Sequence, residues 1–433
     1  MVKTLVIKAI NVEDTLGTFI TKDRYDTVIQ EDTDLYAETV TGELSEANII
    51  FKFRKNVFTK EECDAAYAGL REAAVESQNR GMAAGPRGDM LGATGRGGRD
   101  WVTEYHQDVL DFFLRPDNAI IQDETINSIR AHHASNPKKD DTRGRVWLRS
   151  EVCKMYPEYH GWFDKWVDGL HNKSRGEQRA EAKHVLDNYV SETNYAQSVM
   201  SGIAGYFDRY PRIPYGRATS YTEKNLEKFA LCYPYLSKLN QQFKELIPGR
   251  WKAQRAEADK LDPRFLIADT VFTTLTVNHN WRTACHRDAG DFSAGFSNIC
   301  GVTGPDGKGW KGGQFILPEY RIAVNLQPGD MLLVNNHEGI HGNDELIGED
   351  NDRMTIVAYF REKMSELKSW DYEQLRKQYV EERRQNHDHK FYRPLWNGVS
   401  PGMWEDQEWY DYMKKHNMTD PYGKSTSSLD AFF

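Results

Sequence analysis

The sequence contains few cysteines and no long apolar run. Its five cysteines, among 433 residues, are odd in number and form no Cys-x-x-Cys pair, which argues against a disulfide framework and a structural zinc site. No stretch approaches the roughly 18 apolar residues that a membrane span needs. Asp and Glu follow the N-terminus too early for a signal peptide. These absences predict a cytoplasmic protein with no membrane association, and nothing in the sequence indicates an obligate protein partner.

Acidic residues outnumber basic ones, with 65 Asp and Glu against 56 Lys and Arg, so the formal net charge is −9. A protein with a wide, nonspecific grip on nucleic acid is usually basic, since contacts to phosphates supply most of that affinity. The charge balance therefore argues against a DNA-coating role, although a local basic patch can still engage a few nucleotides. Apolar residues make up 39% of the chain, which is enough to bury a sizeable core and excludes a disordered or fibrous protein.

Residues 1–204 read as a mixed region of strands and helices that packs on the core. Two runs, LVIKAINV and ANIIFKFRKNVF, alternate apolar and polar residues and predict strands. Thr59, with Glu62 three residues later, predicts a capping box that opens a helix over 61–77. Residues 79–100 hold seven glycines and four arginines and predict a loop, which either lies free on the surface or closes over an anionic ligand.

The sequence pattern changes between about 265 and 362, where short apolar runs are separated by the turn sequences GPDGKGWKGG and QPGD. Many short strands with Gly and Pro between them are typical of a jelly roll or barrel. We therefore predict an α+β fold in which a double-stranded β-helix (jelly roll) over 205–365 is surrounded by helices. Residues 366–433 predict a helical C-terminal extension.

Four residues of this strand-rich segment carry the chemistry. His286 and Asp288 are two apart, His341 follows 53 residues after Asp288, and Arg353 another 12 residues later. Two histidines and one carboxylate that leave open positions on a metal are the facial triad of non-heme Fe(II) oxygenases. His-x-Asp suits one β-strand, because residues two apart point to the same side. Arg353, at the start of RMTIVAYF, can pair with the distal carboxylate of 2-oxoglutarate through two hydrogen bonds.

Other histidines compete for these roles. His337 is the rival to His341, but its spacing to Arg353 is less suitable, and we favour His341 as the second histidine ligand. The pair His106 and Asp108 repeats the His-x-Asp pattern in a predicted helix, and His387-Asp388-His389 lies in a charged helical tail. Neither is followed by partners in strands, so both are predicted to be structural or solvent-exposed.

The runs TVNHNWRTACHRDAGDFSAGF, GGQFILPEYRIAVNLQPGDMLLVNNHEGIHGN and DRMTIVAYFRE resemble the TET/JBP oxygenases, which comprise the ten-eleven-translocation and J-binding-protein enzymes and their bacteriophage relatives. The resemblance covers roughly residues 205–365. It implies Fe(II), 2-oxoglutarate and O2 as cofactor and co-substrates, with His286, Asp288 and His341 on the metal and Arg353 on 2-oxoglutarate. It also implies further contacts to the co-substrate or the target base, for Asn278, Asn280, Asp291 and Arg361.

The resemblance implies hydroxylation, or iterative oxidation, of the 5-methyl group of a pyrimidine in DNA, with 5-methylcytosine favoured over thymine or a free nucleotide. The base would have to be flipped out of the duplex, and Tyr206, Tyr215 and Tyr221 are either stacking platforms or core residues. DNA contact would come from residues 79–100 or from the segment around Arg217, because the cysteine-rich zinc-binding extension of animal TET proteins is missing. Two alternatives stay open, a 2-oxoglutarate-dependent hydroxylase of a protein side chain or small metabolite, and a non-catalytic jelly-roll binding protein.

Overall fold

The computed structural model describes residues 2–77, 80–85, 199–209, 213–288, 290–307, 309–385 and 404–423. Mixed β-sheets and helices make up these ranges, in agreement with the predicted α+β class. The strands are β1 (Lys3–Ile7), β2 (Thr27–Ile29), β3 (Thr33–Ala37), β4 (Ile49–Arg54), β5 (Glu76–Ser77), β6 (Val199–Arg209), β7 (Ile213–Ala218), β8 (Thr274–His279), β9 (Ser297–Val302), β10 (Phe315–Leu317), β11 (Ile322–Val324), β12 (Met331–Val334), β13 (Gly342–Asn343) and β14 (Met354–Tyr359).

The helices flank these strands in the sequence. They are α1 (Lys60–Leu70), α2 (Ser220–Lys224), α3 (Leu226–Ala230), α4 (Tyr233–Leu246), α5 (Pro248–Ala258), α6 (Trp370–Arg384) and α7 (Gln407–Lys415). Within the described ranges, none is long and apolar enough to cross a membrane.

The strands form two sheets. The larger has the order β1-β3-β4-β12-β9-β14-β8-β6-β5, with β7 paired to β6, and the smaller has the order β13-β10-β11-β2. Buried side chains of both sheets meet in one apolar cluster, to which β4 contributes Phe51 and Phe53 and β10 contributes Phe315 and Leu317. The two sheets therefore face each other across a shared core.

The N-terminal strands belong to these sheets and do not form a separate layer. β4 pairs antiparallel with β12, so that Phe53 lies opposite Leu332, and β2 pairs parallel with β11 in the smaller sheet. The boundary predicted between residues 204 and 205 falls inside β6. The sheet core thus takes in both ends of the region that the sequence placed outside it.

Helices cover the outer face of the larger sheet. Buried residues of α1, α3 and α4 pack against those of β8, β9, β12 and β14 in the largest apolar cluster. The predicted capping box at Thr59 is confirmed, because its side chain accepts a hydrogen bond from the Glu62 amide while the Glu62 carboxylate accepts one from the Thr59 amide. The predicted helix end was wrong. α1 stops at Leu70, and Glu76–Ser77 pair with β6 instead.

The apolar runs between 265 and 362 each contain a strand, but one prediction within them was wrong. The expectation that His286 and Asp288 lie on one β-strand was wrong, because β9 begins only at Ser297. His286 and Asp288 precede it in an irregular segment, in which His286 forms an isolated bridge with His341. The helical extension predicted over residues 366–433 corresponds to α6 and α7 in the described residues, which pack with β7 around Trp409 and Tyr379.

Candidate metal centre

A cavity of about 560 Å³ is lined by residues from both sheets. β14 contributes alternate positions, because side chains of a strand point to one side at every second residue. Three residues of β14 line the cavity, together with one residue before the strand and one shortly after it. In chain order they are Arg353, Thr355, Val357, Tyr359 and Arg361. β8 contributes Thr276 and Asn278 from the neighbouring strand. The wall of the cavity is therefore built on a rigid pair of strands.

His286, Asp288 and His341 meet at this wall. Their potential ligand atoms all lie within 4.8 Å of one another. Nε2 of His286 is 3.4 Å from Oδ1 of Asp288, and Nε2 of His341 is 3.5 Å from Oδ2 of the same carboxylate. The structure thus brings together the three residues that the sequence proposed as metal ligands.

Backbone hydrogen bonds fix the two histidines relative to each other. The amide of His286 donates to the carbonyl of His341 over 2.9 Å, and the amide of His341 donates back over 3.0 Å. Asp288 is tied in the same way, because its amide donates to the carbonyl of Asn336 over 3.0 Å. The expected continuous strand is therefore absent from this segment, and the backbone bridge between His286 and His341 holds the two histidines together instead.

The donor set fits a divalent cation. Nδ1 of His286 lies 2.8 Å from the carbonyl of Ala284, and Nδ1 of His341 lies 3.0 Å from that of Gly339. A carbonyl only accepts, so each Nδ1 carries the proton and each Nε2 presents a lone pair. Two lone pairs directed at one carboxylate repel it unless a cation lies between them. Imidazole nitrogen with carboxylate oxygen is a ligand set that suits Fe(II).

The Asp288 carboxyl is held in its ionised form. Burial raises its pKa, but the influence of the neighbouring His286 and His341 side chains outweighs burial and lowers the pKa well below its ordinary value. An ionised carboxylate with two neutral imidazoles supplies one negative charge to the site. That charge offsets part of the charge of a divalent ion and leaves it able to attract a further anionic ligand.

Arg353 is buried in the same cavity. Its guanidinium lies 5.8 Å from the ring centroid of Trp310, and burial lowers its pKa to about 10, so it stays protonated at neutral pH. Asn280 sits beyond the cavity and fixes the Arg353 backbone from there, accepting the Arg353 amide on its side-chain oxygen over 2.8 Å. A buried cation beside the three candidate ligands is placed to bind the carboxylate of a metal chelator.

Three further residues proposed from the sequence line the cavity. Asn278 accepts a 2.5 Å hydrogen bond from Ser201. Asp291 accepts one of 2.5 Å from Ser297, and it is bridged through the backbone to Arg361. Burial and the charge of Asp288 raise the pKa of Asp291 well above its ordinary value. Asn278, Asp291 and Arg361 therefore present polar groups around the space next to the candidate metal ligands.

Other proposed residues lie elsewhere. Asn280 does not line the cavity, and Arg217 lies on β7 with its guanidinium 4.8 Å from the Phe207 ring centroid. His337 is half-buried in the turn after β12 and outside the set of candidate ligands. The sequence placed Asn280 and Arg217 at the substrate. The fold instead uses Asn280 to hold the Arg353 backbone, and Arg217 packs on a neighbouring ring.

The three tyrosines considered as stacking platforms pack in the protein interior. Tyr206 is 1% exposed and forms an edge contact with Trp370. The hydroxyl of Tyr215 donates to Glu381, and that of Tyr221 donates to the carbonyl of Gly69. None of the three lines the cavity, so the core-packing interpretation is the one that the structure supports.

Several cavity residues were not found from the sequence. They are Trp281, Asn336, Asn343, Thr276 and Tyr359. The alternation of β14 with Arg353 as its reference point could have identified Tyr359, because both lie on one face of the strand. Arg80 also lines the cavity. It belongs to the Gly/Arg-rich segment predicted as a loop, of which residues 79 and 86–100 lie outside the described ranges. The segments around His106 and His387 lie outside them as well.

Comparison with known proteins gives one family match. Residues 202–362 match the model of the Tet_JBP family, the oxygenase domain of the 2OGFeDO superfamily. The thymine dioxygenase JBP1 of Leishmania braziliensis is 37% identical over 181 residues, which is 40% of this chain and 21% of that protein. The protein of the same name from Trypanosoma brucei brucei is 32% identical over 198 residues, or 43% of this chain and 22% of that one. The matched region spans about one fifth of the length of these relatives.

Among solved structures, NgTET1 in complex with 5mC DNA is similar at a TM-score of 0.36 and 12% identity. That alignment covers 84% of this chain and 83% of the other.

Proposed function

Because residues 202–362 match the model of the Tet_JBP oxygenase domain, we propose that this protein is an Fe(II)- and 2-oxoglutarate-dependent dioxygenase that hydroxylates the 5-methyl group of a pyrimidine in DNA. The observation that carries the proposal is the meeting of His286, Asp288 and His341 with the buried cation of Arg353 in one cavity. We further propose that the two facing sheets are the double-stranded β-helix of this superfamily.

The proposed roles follow from the contacts. His286, Asp288 and His341 would hold Fe(II), and Arg353 would bind the distal carboxylate of 2-oxoglutarate while Asn278 lines the same space. Fe(II) with 2-oxoglutarate and O2 supplies the oxidising power that removes hydrogen from an unreactive methyl group, a step for which no side chain suffices. The protein's part is to orient these groups and to exclude water around them.

The proposed substrate is a pyrimidine rotated out of its strand. Iron held at the wall of a cavity does not reach a methyl group inside the major groove, so the base has to leave the stack. Asp291 and Arg361 would then contact its polar edge, since both face the cavity beside the candidate metal ligands. The names of the relatives favour thymine, and 5-methylcytosine, favoured by the sequence reading, is the second base to test.

The decisive experiment uses two duplex oligonucleotides that differ only in having thymine or 5-methylcytosine at one position. Each is incubated anaerobically with the protein, Fe(II) and 2-oxoglutarate and then exposed to O2, and the nucleosides are analysed by mass spectrometry. A hydroxymethyl pyrimidine that requires 2-oxoglutarate is the expected product, and its mass identifies the base. Free thymidine and 5-methyldeoxycytidine triphosphate serve as controls for a nucleotide substrate.

The same experiment separates the rival functions. Succinate that accumulates without any altered base would show that the protein is a dioxygenase whose substrate is a protein side chain or a small metabolite instead of DNA. No succinate, together with no Fe(II) binding, would indicate a binding protein without catalysis. The variant Asp288→Ala controls for adventitious iron chemistry, because it removes the negative ligand while leaving Arg353 in place.

A further inference from the structure

A buried carboxylate on β6, Asp208, binds the guanidinium of Arg361, which lines the cavity. Nε of Arg361 donates a 2.6 Å hydrogen bond to Oδ1 of Asp208. Asp208 is buried and does not itself line the cavity, whereas Arg361 does. We propose that Asp208 is a positioning residue that fixes the Arg361 guanidinium for contact with the target base. This inference rests on the proposed function and adds a residue from outside the cavity to it.

A strand irregularity lies opposite Asp208. β6 and β7 pair Phe207 with Arg217 and then Arg209 with Ile213, so β6 has one residue, Asp208, between these pairs where β7 has three. The extra residues belong to β7, and bulges occur often beside active sites. Asp208 is thus the β6 residue that faces the bulge, and its carboxylate reaches Arg361, which lies 153 positions further along the chain.

The Arg361 backbone is fixed independently of this ion pair. Its amide donates to Oγ1 of Thr273 over 3.0 Å, and the amide of Glu362 donates to the carbonyl of Gly290 over 3.1 Å. A Cβ atom at Gly290 would lie 3.2 Å from Nη1 of Arg361, so the lack of a side chain there leaves room for the guanidinium. The backbone thus places the side chain, and Asp208 restricts the rotation that remains.

The ion pair is a costly way to stabilise a fold. Asp208 is 4% exposed, and its Oδ2 has no hydrogen-bond partner among the described residues. Burying a carboxylate with one oxygen unpaired carries a desolvation cost, and a buried ion pair is weak evidence for stability. Its benefit is geometric, because a long arginine side chain samples many rotamers unless a charge-assisted hydrogen bond restricts it.

The Arg361 guanidinium would bind hydrogen-bond acceptors on the substrate. A guanidinium carries only hydrogen-bond donors, so Arg361 would recognise an acceptor on the base, either a carbonyl oxygen or an unprotonated ring nitrogen. Asp291 lies beside it through their backbone bridge and is held by Ser297. Donor and carboxyl group side by side match the mixed polar edge of a pyrimidine and not an apolar substrate.

The test compares Asp208→Ala, Arg361→Gln and the double variant, using the better oligonucleotide substrate of the wild-type protein. We expect Asp208→Ala to lower kcat/KM for the oligonucleotide about 10- to 100-fold, the range found when a supporting residue is lost or a reacting group is slightly misplaced. The KM for 2-oxoglutarate should keep its wild-type value, because Arg353 is untouched. The double variant should be no worse than Arg361→Gln alone, since both changes remove one interaction.

Two further variants keep the result interpretable. Asp262→Ala removes a buried carboxylate that pairs with Arg264 outside the cavity and should leave the oligonucleotide kinetics unchanged. Asp208→Asn retains an oxygen that can accept the Nε–H, so it should lose less activity than Asp208→Ala even if the latter folds poorly.

Three outcomes would overturn the inference. These are wild-type kinetics for both Asp208 variants, a parallel loss of 2-oxoglutarate affinity, and a double variant whose losses multiply. Wild-type protein that alters no DNA base would instead reject the proposed function itself, and the inference with it.

Discussion

Nδ2 of Asn336 donates a 3.2 Å hydrogen bond to Oδ2 of Asp288, the carboxylate that lies between the two site histidines. The Asn336 carbonyl also accepts the Asp288 amide, so one residue orients both the side chain and the backbone of the candidate ligand. Partners of this kind set the direction of a ligand's lone pairs and tune its affinity for the metal.

Replacing Asn336 with Ala should therefore weaken Fe(II) binding about 10- to 100-fold, the usual effect of losing such a partner. Anaerobic Fe(II) titration in the presence of 2-oxoglutarate measures the change. Asn335→Ala is the matched control, because the Asn335 amide bonds Glu338 and not the candidate ligands. Equal Fe(II) affinity in the two variants would show that Asn336 does not support the metal.

The choice between the two late histidines gives a second prediction. His341→Ala should abolish Fe(II)-dependent turnover of 2-oxoglutarate, because it removes one of three ligands. His337→Ala should retain much of it, since His337 lies outside the ligand set and the cavity. Succinate formation by the two purified variants decides the matter, and the reverse order of activities would overturn the assignment of His341.

Arg353 should determine the affinity for 2-oxoglutarate. In Arg353→Lys the charge remains, but the planar pair of donors that matches a carboxylate is lost. We expect the KM for 2-oxoglutarate to rise about 10- to 100-fold, in line with the loss of one hydrogen bond to a charged group. Arg264→Lys alters a buried ion pair outside the cavity and should leave this KM unchanged. An unaltered KM in Arg353→Lys would exclude the proposed contact.

Residue type and spacing identified the candidate ligands that the structure brings together. His286, Asp288 and His341 form the two-histidine, one-carboxylate set that is typical of non-heme Fe(II) oxygenases, and Arg353 follows at the start of a strongly apolar strand. Residues that support the site only by contacting another side chain could not be predicted from the sequence. Asp208 lies 153 residues before Arg361, and Asn336 lies 48 residues after Asp288, and no local pattern couples such pairs.

Strand pairing explains the errors in the fold. An alternating run predicts a strand but not its neighbour, so nothing in residues 49–54 indicates that β4 pairs with β12 nearly 280 residues later. The role of the three tyrosines could not be decided from the sequence for a related reason. An aromatic ring suits a base-stacking surface and an apolar core equally, and only the packing of Tyr206 against Phe265 and Trp370 decides between them.

A histidine at the end of β8 makes the stability of the fold depend on pH. Nε2 of His279 lies 2.9 Å from Asp352, and its Nδ1 lies 3.0 Å from Nη2 of Arg71. Arginine only donates, so Nδ1 accepts and the neutral ring donates from Nε2. Burial lowers the pKa of His279 and the charge of Arg71 lowers it further, against the opposing effect of Asp352.

The folded protein therefore favours neutral His279 more than the unfolded chain does. The resulting stabilisation is complete above the unfolded pKa of 6.5 and is lost as the pH falls through the folded value. Urea unfolding at a series of pH values should show a steeper loss of stability on acidification in the wild type than in His279→Gln, which keeps one donor and one acceptor but does not titrate. Identical pH profiles would refute the assignment.

Arg80 offers a test of DNA engagement. Arg80 lines the cavity together with Gly81, Met82 and Ala83 of the same Gly/Arg-rich segment, and burial lowers its pKa against the opposing effects of Tyr359 and Asp288. We expect it to contact a phosphate next to the flipped base. Each phosphate contact contributes about 0.9 to the slope of log affinity against log salt for duplex DNA.

Arg80→Ala should accordingly reduce that slope by about one and weaken binding to methylated and unmethylated duplexes alike, because a phosphate contact carries no sequence information. Fluorescence anisotropy over a series of NaCl concentrations gives the slope. Arg255→Ala, on α5 and away from the cavity, controls for the loss of one positive charge. A normal slope with a raised KM for 2-oxoglutarate would instead place Arg80 on the co-substrate, since that anion competes for the same cavity.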